Sequence, residues 1–519
     1  MTPTSPLEEK GTLTPWHERL LFTLSLSLTF LWIYSGQSFL AHNVDNDADS
    51  SFFVYGAQVL LSGGTLYQDF WDQKPPMIFW QNALLLKLFG RDFHAWAWVH
   101  GLVIAGLFLL WAKEIRHRVG TPMTSLGLLL LAFMFNSNKV LDFGNRTEFG
   151  VACMEMLALI MVLKAWRKQE AKSLIIAGGA SAVAFFFKPV GMASFLATLA
   201  WCALGRSRSL PFPFLKSTLI GFFGTSGLLS IPLLITGQWA NMLEASILLP
   251  LQFSGAGTPG LLEAFSNAVF RMGPFWGIVA GLALLPLALF FSRGKDRSLL
   301  IWLSLFFLAT LSGIILQRHG RPHYDHPLAL PLVTLTLISL HALIQKIRSG
   351  FFRVIIPVGW LMLTLFFGQY FIRQQLMLSL HQKELSKEKT QSIHQVSRLI
   401  KSELKPDETF YYWSIGYAPY LLTDRSSPGR ISPAFAAFGG AGVELMREDL
   451  LRVKATPHLA MILENLDGPS GGMLNPEDHS LPTESRTFIK EYLEWRDASF
   501  KALEHPELLP YRLYRRNRD

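Results

Sequence analysis

Three carboxylates, Asp45, Asp47 and Asp49, follow directly on a long apolar run that ends near Ala41, and Lys74 stands before Pro75 and Pro76 further along the same segment. A carboxylate and a lysine facing each other at a membrane surface suit chemistry on a lipid phosphate. The carboxylate can take the proton of an attacking hydroxyl, and the lysine can neutralise the phosphate that leaves. The two prolines restrict the backbone around Lys74. Tyr67, Asp69 and Asp72 belong to the same segment, where the two aspartates can orient Lys74 by ion pairing. The bland alternative is that all these charges are the solvated ends of a helix and a turn, since acidic residues outside a membrane are common.

A second set of polar groups stands at the edges of, or inside, later apolar runs. Glu148 opens one such run after Asn145-Arg146-Thr147. A carboxylate there is either a reacting group or simply a favourable partner of a helix N-terminus. Arg146 is either a phosphate ligand or an interfacial anchor. Lys188 interrupts an apolar stretch and must face a polar cavity or snorkel to the surface, in which case its removal is mild. Arg318, His319, Arg321, His323, Tyr324 and His326 cluster between two further runs and can form a cationic, hydrogen-bonding cover for a phosphate and a sugar. The spacing His319-x-x-x-His323-x-x-His326 straddles Gly320 and Pro322 and offers no regular helical face, so a divalent metal is possible but not indicated, and no cofactor is assigned. Cys153 and Cys202 lie in apolar runs and read as small core residues.

The elements that must position these groups are set by composition. Of 519 residues, 50% are hydrophobic and 16% charged, where a soluble protein has about a quarter charged. An ordinary soluble enzyme is excluded. Apolar runs near 20–41, 92–112, 121–138, 148–165, 173–187, 189–205, 215–236, 272–292, 298–316, 324–345 and 352–372 predict about eleven membrane helices, with the fifth and sixth divided at Lys188-Pro189. The net charge of +9 sits in short basic loops between runs, which argues against nucleic acid and sets topology. Loops around Lys113–Arg118, Lys164–Lys172, Arg206–Lys216, Arg293–Arg297 and Lys346–Arg353 are cytoplasmic by the positive-inside rule. The N-terminus is then cytoplasmic and the stretch beyond Arg373 lies outside, in an inner-membrane, multi-pass protein. That stretch, 373–519, reads as a charged linker over Lys383–Lys389, an amphipathic segment over Ile393–Leu404, strands at Phe410–Ile415, His458–Leu463 and Tyr511–Tyr514, and a helix at Glu484–Tyr492. This predicts a membrane domain, 1–372, and a small α/β domain, 373–519.

Four segments carry a family resemblance: DSSFFVYGAQVLLSGGTLYQDFWDQKPP at 49–76, NRTEFG at 145–150, KPVG at 188–191 and RPHYDHPLALPL at 321–332. They resemble the polyprenyl-phosphate-sugar-dependent glycosyltransferases of the GT-C fold, in the branch of dolichyl-phosphate-mannose protein mannosyltransferases and the bacterial aminoarabinose transferase acting on lipid A. The resemblance implies a polytopic α-helical GT-C protein that moves a sugar, with inversion, from a polyprenyl-phosphate donor to a hydroxyl of a glycan, lipid or protein outside the membrane. It matches Asp49 to the family's first-loop aspartate, although Ser50 stands where a glutamate is usual, and Glu148 to its second acidic residue. Both are thereby catalytic candidates. Lys74, Lys188, Arg321, His323, Tyr324 and His326 become donor phosphate and sugar ligands, with Asp47, Tyr67, Asp69 and Arg146 in reserve. The other class weighed is a glycan or lipid transporter or flippase. It calls for internal symmetry and paired broken helices, and neither is evident.

Overall fold

The computed structural model describes residues 15–43, 47–136, 145–205, 213–253, 260–271, 276–317, 321–347, 350–414, 416–432, 440–466, 474–478, 481–505, 508 and 510–517. Asp45, Arg318 and His319 lie outside them. Among the described residues six helices are long and apolar enough to cross a bilayer: Trp16–Gln37, Phe93–Phe135, Thr147–Lys168, Phe214–Ile235, Gly294–Leu316 and His323–Ile344. Shorter apolar helices, Met77–Phe89, Lys172–Phe187, Pro189–Ala203 and Ile278–Phe291, accompany them. A count of eleven separate spans is thus not confirmed among the described residues. The 43 residues Phe93–Phe135 combine two predicted runs, broken at Gly120, whose φ of 77° and ψ of 171° suit glycine, with Pro122 just beyond. Lys172–Phe187 has 16 residues and Ala193–Ala203 has 11, each too short to cross ~30 Å of hydrocarbon at ~1.5 Å per residue. Between them Lys188 is extended, with φ −162° and ψ 137°, and Pro189–Met192 forms a single 3-10 turn.

Inside the bundle two fully buried tryptophans find hydroxyl partners for their indole N–H groups. Trp111 donates to Thr334 Oγ1 at 3.1 Å, and Trp302 to Thr198 Oγ1 at 3.1 Å. Basic loops gather at one end of the helices. Arg167 forks onto Glu114 at 2.8 and 2.9 Å, and Arg118 meets Asp296 at 3.4 Å. Glu148, at the start of Thr147–Lys168, marks the opposite end.

The helix Gly350–Glu403 is 54 residues long and passes through both position 373 and Lys383–Lys389 without a break. The predicted linker is thus helical, as a stretch of Lys, Glu, Gln and Leu permits. Its final turns bury Ile393, Val396, Ile400 and Leu404, the spacing of one helical face. Four strands follow: β1 Thr409–Trp413, β2 Leu459–Asn465, β3 Phe500–Leu503 and β4 Tyr511–Arg516. They order as β1-β2-β4-β3, with β1 parallel to β2 and the other pairs antiparallel. Phe410 pairs with Met461, and Leu463 with Leu513. β1 and β2 are buried along nearly their whole length, as expected of strands covered on both faces. Helices Gly440–Lys454 and Thr483–Ser499 belong to this region of the chain.

One hydrophobic core joins this C-terminal region to the segment that follows the first helix. It contains Phe52, Phe53, Phe70 and Phe79 from the one, and Tyr411, Tyr417 and Tyr420 from the other. Tyr55 stacks on Tyr417 with ring centres 4.9 Å apart. Polar ties reinforce the packing: Tyr417 N donates to Ser51 Oγ at 3.1 Å, Ser427 N to Tyr55 Oη at 2.6 Å, and Trp71 N to the Arg430 carbonyl at 2.9 Å.

Candidate active site

Asp47 opens the site as a helix cap. Its extended backbone precedes Ala48–Leu61, and its carboxylate accepts the Ser50 N–H at 2.8 Å and the Ser50 hydroxyl at 2.6 Å, the ordinary N-cap arrangement. Asp49 sits in the first turn of that helix. Arg146 bridges the two, reaching Asp47 at 2.7 Å and also pairing with Asp49. Ser50 is fully buried, and its hydroxyl receives the N–H of Asn145. Ser50 thereby stitches the Asp47–Asp49 turn to the stretch of chain that carries Arg146. Burial pushes the Asp47 carboxyl above the ordinary range against the pull of Arg146. At Asp49 the cost of desolvation is outweighed by Arg146, with Lys74 and His323, and the carboxyl is held below that range. Asp49 keeps 43% of its side chain exposed against 16% for Asp47. The more reachable carboxylate of the pair is Asp49.

Glu148 lies in the first turn of Thr147–Lys168 and forms a buried ion pair with Lys188. Thr147 Oγ1 donates to the other oxygen of Glu148 at 3.0 Å. The Lys188 ammonium also stands 3.7 Å from the centre of the Tyr324 ring, a cation–π contact. The extended backbone at Lys188 makes this possible, because the residue leaves the helix where the side chain must turn inward. Lys188 therefore neither snorkels nor faces lipid.

Lys74 has no carboxylate within ion-pair distance among the described residues, and its backbone carbonyl accepts the Tyr67 hydroxyl at 2.9 Å. Tyr67 adopts φ +68°, a left-handed conformation held by that bond and by full burial of the ring. The Lys74 charge is felt at Asp49, Asp72, Glu148 and Tyr324, which locates it among them. Asp72, buried beside it and accepting from Gln73 N at 2.7 Å, is pushed up to about 6, burial outweighing the pull of Lys74.

His323 is buried, edge-on to Tyr324 at 4.7 Å. Arg321 is exposed and acts on Tyr324. The fold thus brings Asp49, Arg146, Glu148, Lys188, Lys74, His323 and Tyr324 to one place, with Arg321 at its edge. Two predicted residues are used otherwise. Asp69 accepts the Thr65 N–H at 2.9 Å and closes its own turn rather than pairing with Lys74. His326 is buried against the Phe135 and Phe149 rings, 4.2 and 6.0 Å away between centres. Among the described residues no group of three His, Cys, Asp or Glu side chains is disposed to hold a metal, and Arg146 fills the space between Asp47 and Asp49. Asp72 belongs to the site more firmly than its sequence suggests. Its place two residues before Lys74-Pro-Pro is the one available signal.

Residues 73–231 match the family described as dolichyl-phosphate-mannose-protein mannosyltransferase. No curated protein matches the chain as a sequence. Among solved structures, apo ArnT from Cupriavidus metallidurans aligns with a TM-score of 0.59 and 14% identity over 95% of this chain and 97% of that one. The same protein bound to undecaprenyl phosphate aligns with a TM-score of 0.56 and 14% identity, covering 97% and 98%. The archaeal oligosaccharyltransferase AglB from Archaeoglobus fulgidus, in complex with an inhibitory peptide and a dolichol-phosphate, aligns with a TM-score of 0.52 and 13% identity, covering 97% and 75%. The chain has the GT-C fold of these membrane glycosyltransferases, completed by a small C-terminal sheet.

Proposed function

We propose that this protein is an integral-membrane glycosyltransferase that moves a sugar from a polyprenyl-phosphate donor to a hydroxyl acceptor on the outer side of the membrane. The observation that carries the reading is an ionised, half-exposed Asp49 gathered with three cations, Arg146, Lys74 and Lys188, at the end of the helices opposite the basic loops. That arrangement fits one displacement at the anomeric carbon. The acceptor oxygen forms its bond on the face opposite the phosphate while its proton passes to Asp49, and the phosphate departs with the electrons of the broken bond. Its charge is met by Lys74 and by those Lys188 donors that Glu148 does not use, since an ammonium has three. Glu148 acts here by keeping Lys188 charged and aimed, and His323, Tyr324 and Arg321 line the sugar-phosphate. A single displacement inverts the anomeric centre. The undecaprenyl phosphate held by ArnT and the dolichol-phosphate held by AglB support a polyprenyl donor. On this reading the membrane domain, 1–372, holds the donor, and the C-terminal domain, 373–519, closes over the loop that carries Asp49 and Lys74, outside the cytoplasmic membrane.

The test is transfer of radiolabel from a lipid-linked sugar to an acceptor by the purified full chain. Transfer that Asp49→Asn abolishes is the expected result. Translocation of the lipid-linked sugar across vesicles without any transfer would replace the enzyme by a flippase.

A further inference from the structure

A second buried carboxylate, Glu155, sits two turns along the same helix as Glu148 and takes no part in the reaction above. It is 1% exposed. One of its oxygens accepts the Ser194 N–H at 3.2 Å, and the Ala193 N–H and the Ser194 hydroxyl lie within its reach as well. These are the first amides of Ala193–Ala203, whose own N-cap residue, Met192, makes no capping bond. Such amides are unsatisfied donors at the positive end of a helix and need an acceptor when buried. Glu155 supplies it from another helix. Ser194 is further tied to Ser181, hydroxyl to hydroxyl, at 2.6 Å.

Seen along Thr147–Lys168, two carboxylates seven residues apart, about 10 Å along one face, grip the two ends of one break. Glu148 holds Lys188 where the first short helix ends, and Glu155 holds Ser194 where the next begins. Between them Gly191 N bonds the Lys188 carbonyl at 2.8 Å, and a Cβ on Gly191 would overlap the Ala184 carbonyl.

We infer that Glu155 is a positioning residue: by capping Ala193–Ala203 it fixes the break that turns Lys188 into the site. The inference rests on the reading of Lys188 as a phosphate ligand only for its effect on binding. The geometry of the break stands apart from that reading.

The experiment uses the full chain in detergent, with farnesyl phosphate as the probe, and combines titration calorimetry with amide hydrogen exchange over 188–194. Glu155→Gln keeps an oxygen acceptor and should bind farnesyl phosphate within about twofold of wild type, with unchanged exchange. Glu155→Leu removes the acceptor, so binding should weaken by roughly tenfold and exchange of the Ala193 and Ser194 amides should quicken. In a Lys188→Ala background Glu155→Leu should add nothing further, the signature of two groups acting as one. If Glu155→Leu does not fold, Glu155→Asp, one methylene short, should show the same changes in smaller measure. Native exchange over 188–194 in the Leu or Asp variant would overturn the inference. Faster exchange together with unchanged farnesyl phosphate binding in Lys188→Ala would leave Glu155 as the cap and remove Lys188 from the phosphate site instead.

Discussion

At the scale of single residues the site is a set of unequal ion pairs, and their inequality yields predictions. Asp49→Asn keeps the shape and removes the charge, so turnover should fall by about 100-fold or more with normal protein levels. Asp47→Ala should instead cost at least about 1 kcal/mol of stability, read as a lower melting temperature, because it loses a helix cap and one of the two carboxylates that hold Arg146. Steady-state kinetics and thermal melting separate the two, and equal catalytic losses would mean the wrong aspartate has been assigned. Lys74→Ala should raise the apparent donor constant and lower turnover, with Lys74→Arg recovering only a fraction because the guanidinium differs in reach and shape. Lys188 takes the inward of the two alternatives its sequence left open. A snorkelling lysine would be mild to remove, but truncating this one leaves Glu148 buried without its cation, which costs about 3 kcal/mol. The double change Glu148→Gln with Lys188→Met should recover much of that stability and none of the activity. Asp49, Lys74 and Glu148 are legible in the sequence because charges at the ends of apolar runs stand out. The Glu148–Lys188 pair is not, since its members are forty residues apart in the chain and meet only through helix packing.

At the scale of elements the decisive features are places where helices stop. The break at Lys188 is visible as Lys-Pro inside an apolar run, but which helix braces it is not. Gly191→Val, which must displace the Ala184 carbonyl, should weaken farnesyl phosphate binding more than it lowers melting temperature. The turn before Lys74 makes its own prediction through Asp72, whose carboxyl is raised to about 6 by burial. A raised carboxyl binds its proton more tightly folded than unfolded. Its contribution is therefore fully present below the unfolded value of about 4, falls as pH rises toward 6, and stays level above. Melting followed between pH 4 and 7 should show this decline, and Asp72→Asn should flatten it; an unchanged slope would mean that Asp72 stays ionised throughout. Elsewhere, helix-period patterns are readable over Ile393–Leu404 and in the long apolar runs, whereas β3, only 4 residues long and half exposed, offers no period to detect. Charge alone makes Lys383–Lys389 resemble a loop, yet the residues concerned are good helix formers and the helix runs straight through them.

At the scale of the whole molecule, the alternation of basic loops predicts that Lys168→Cys stays unlabelled by an impermeant maleimide in intact cells while Glu494→Cys labels. Both positions are exposed. The reverse pattern would put the site on the cytoplasmic side and end the proposal. What no reading of the chain could foresee is that its C-terminal domain seals the segment around Asp49 and Lys74, because two of those ties run from main-chain N–H groups of Tyr417 and Ser427, which any residue but proline supplies. Time enters here. Ser51 waits for Tyr417, a separation of 366 residues, and at ~5–20 residues per second the ribosome needs roughly 20 to 70 seconds to make up that interval. Through most of its own synthesis the protein holds the Asp49 segment without the C-terminal partners that pack on it, so residues made early are among the last to be fixed in place.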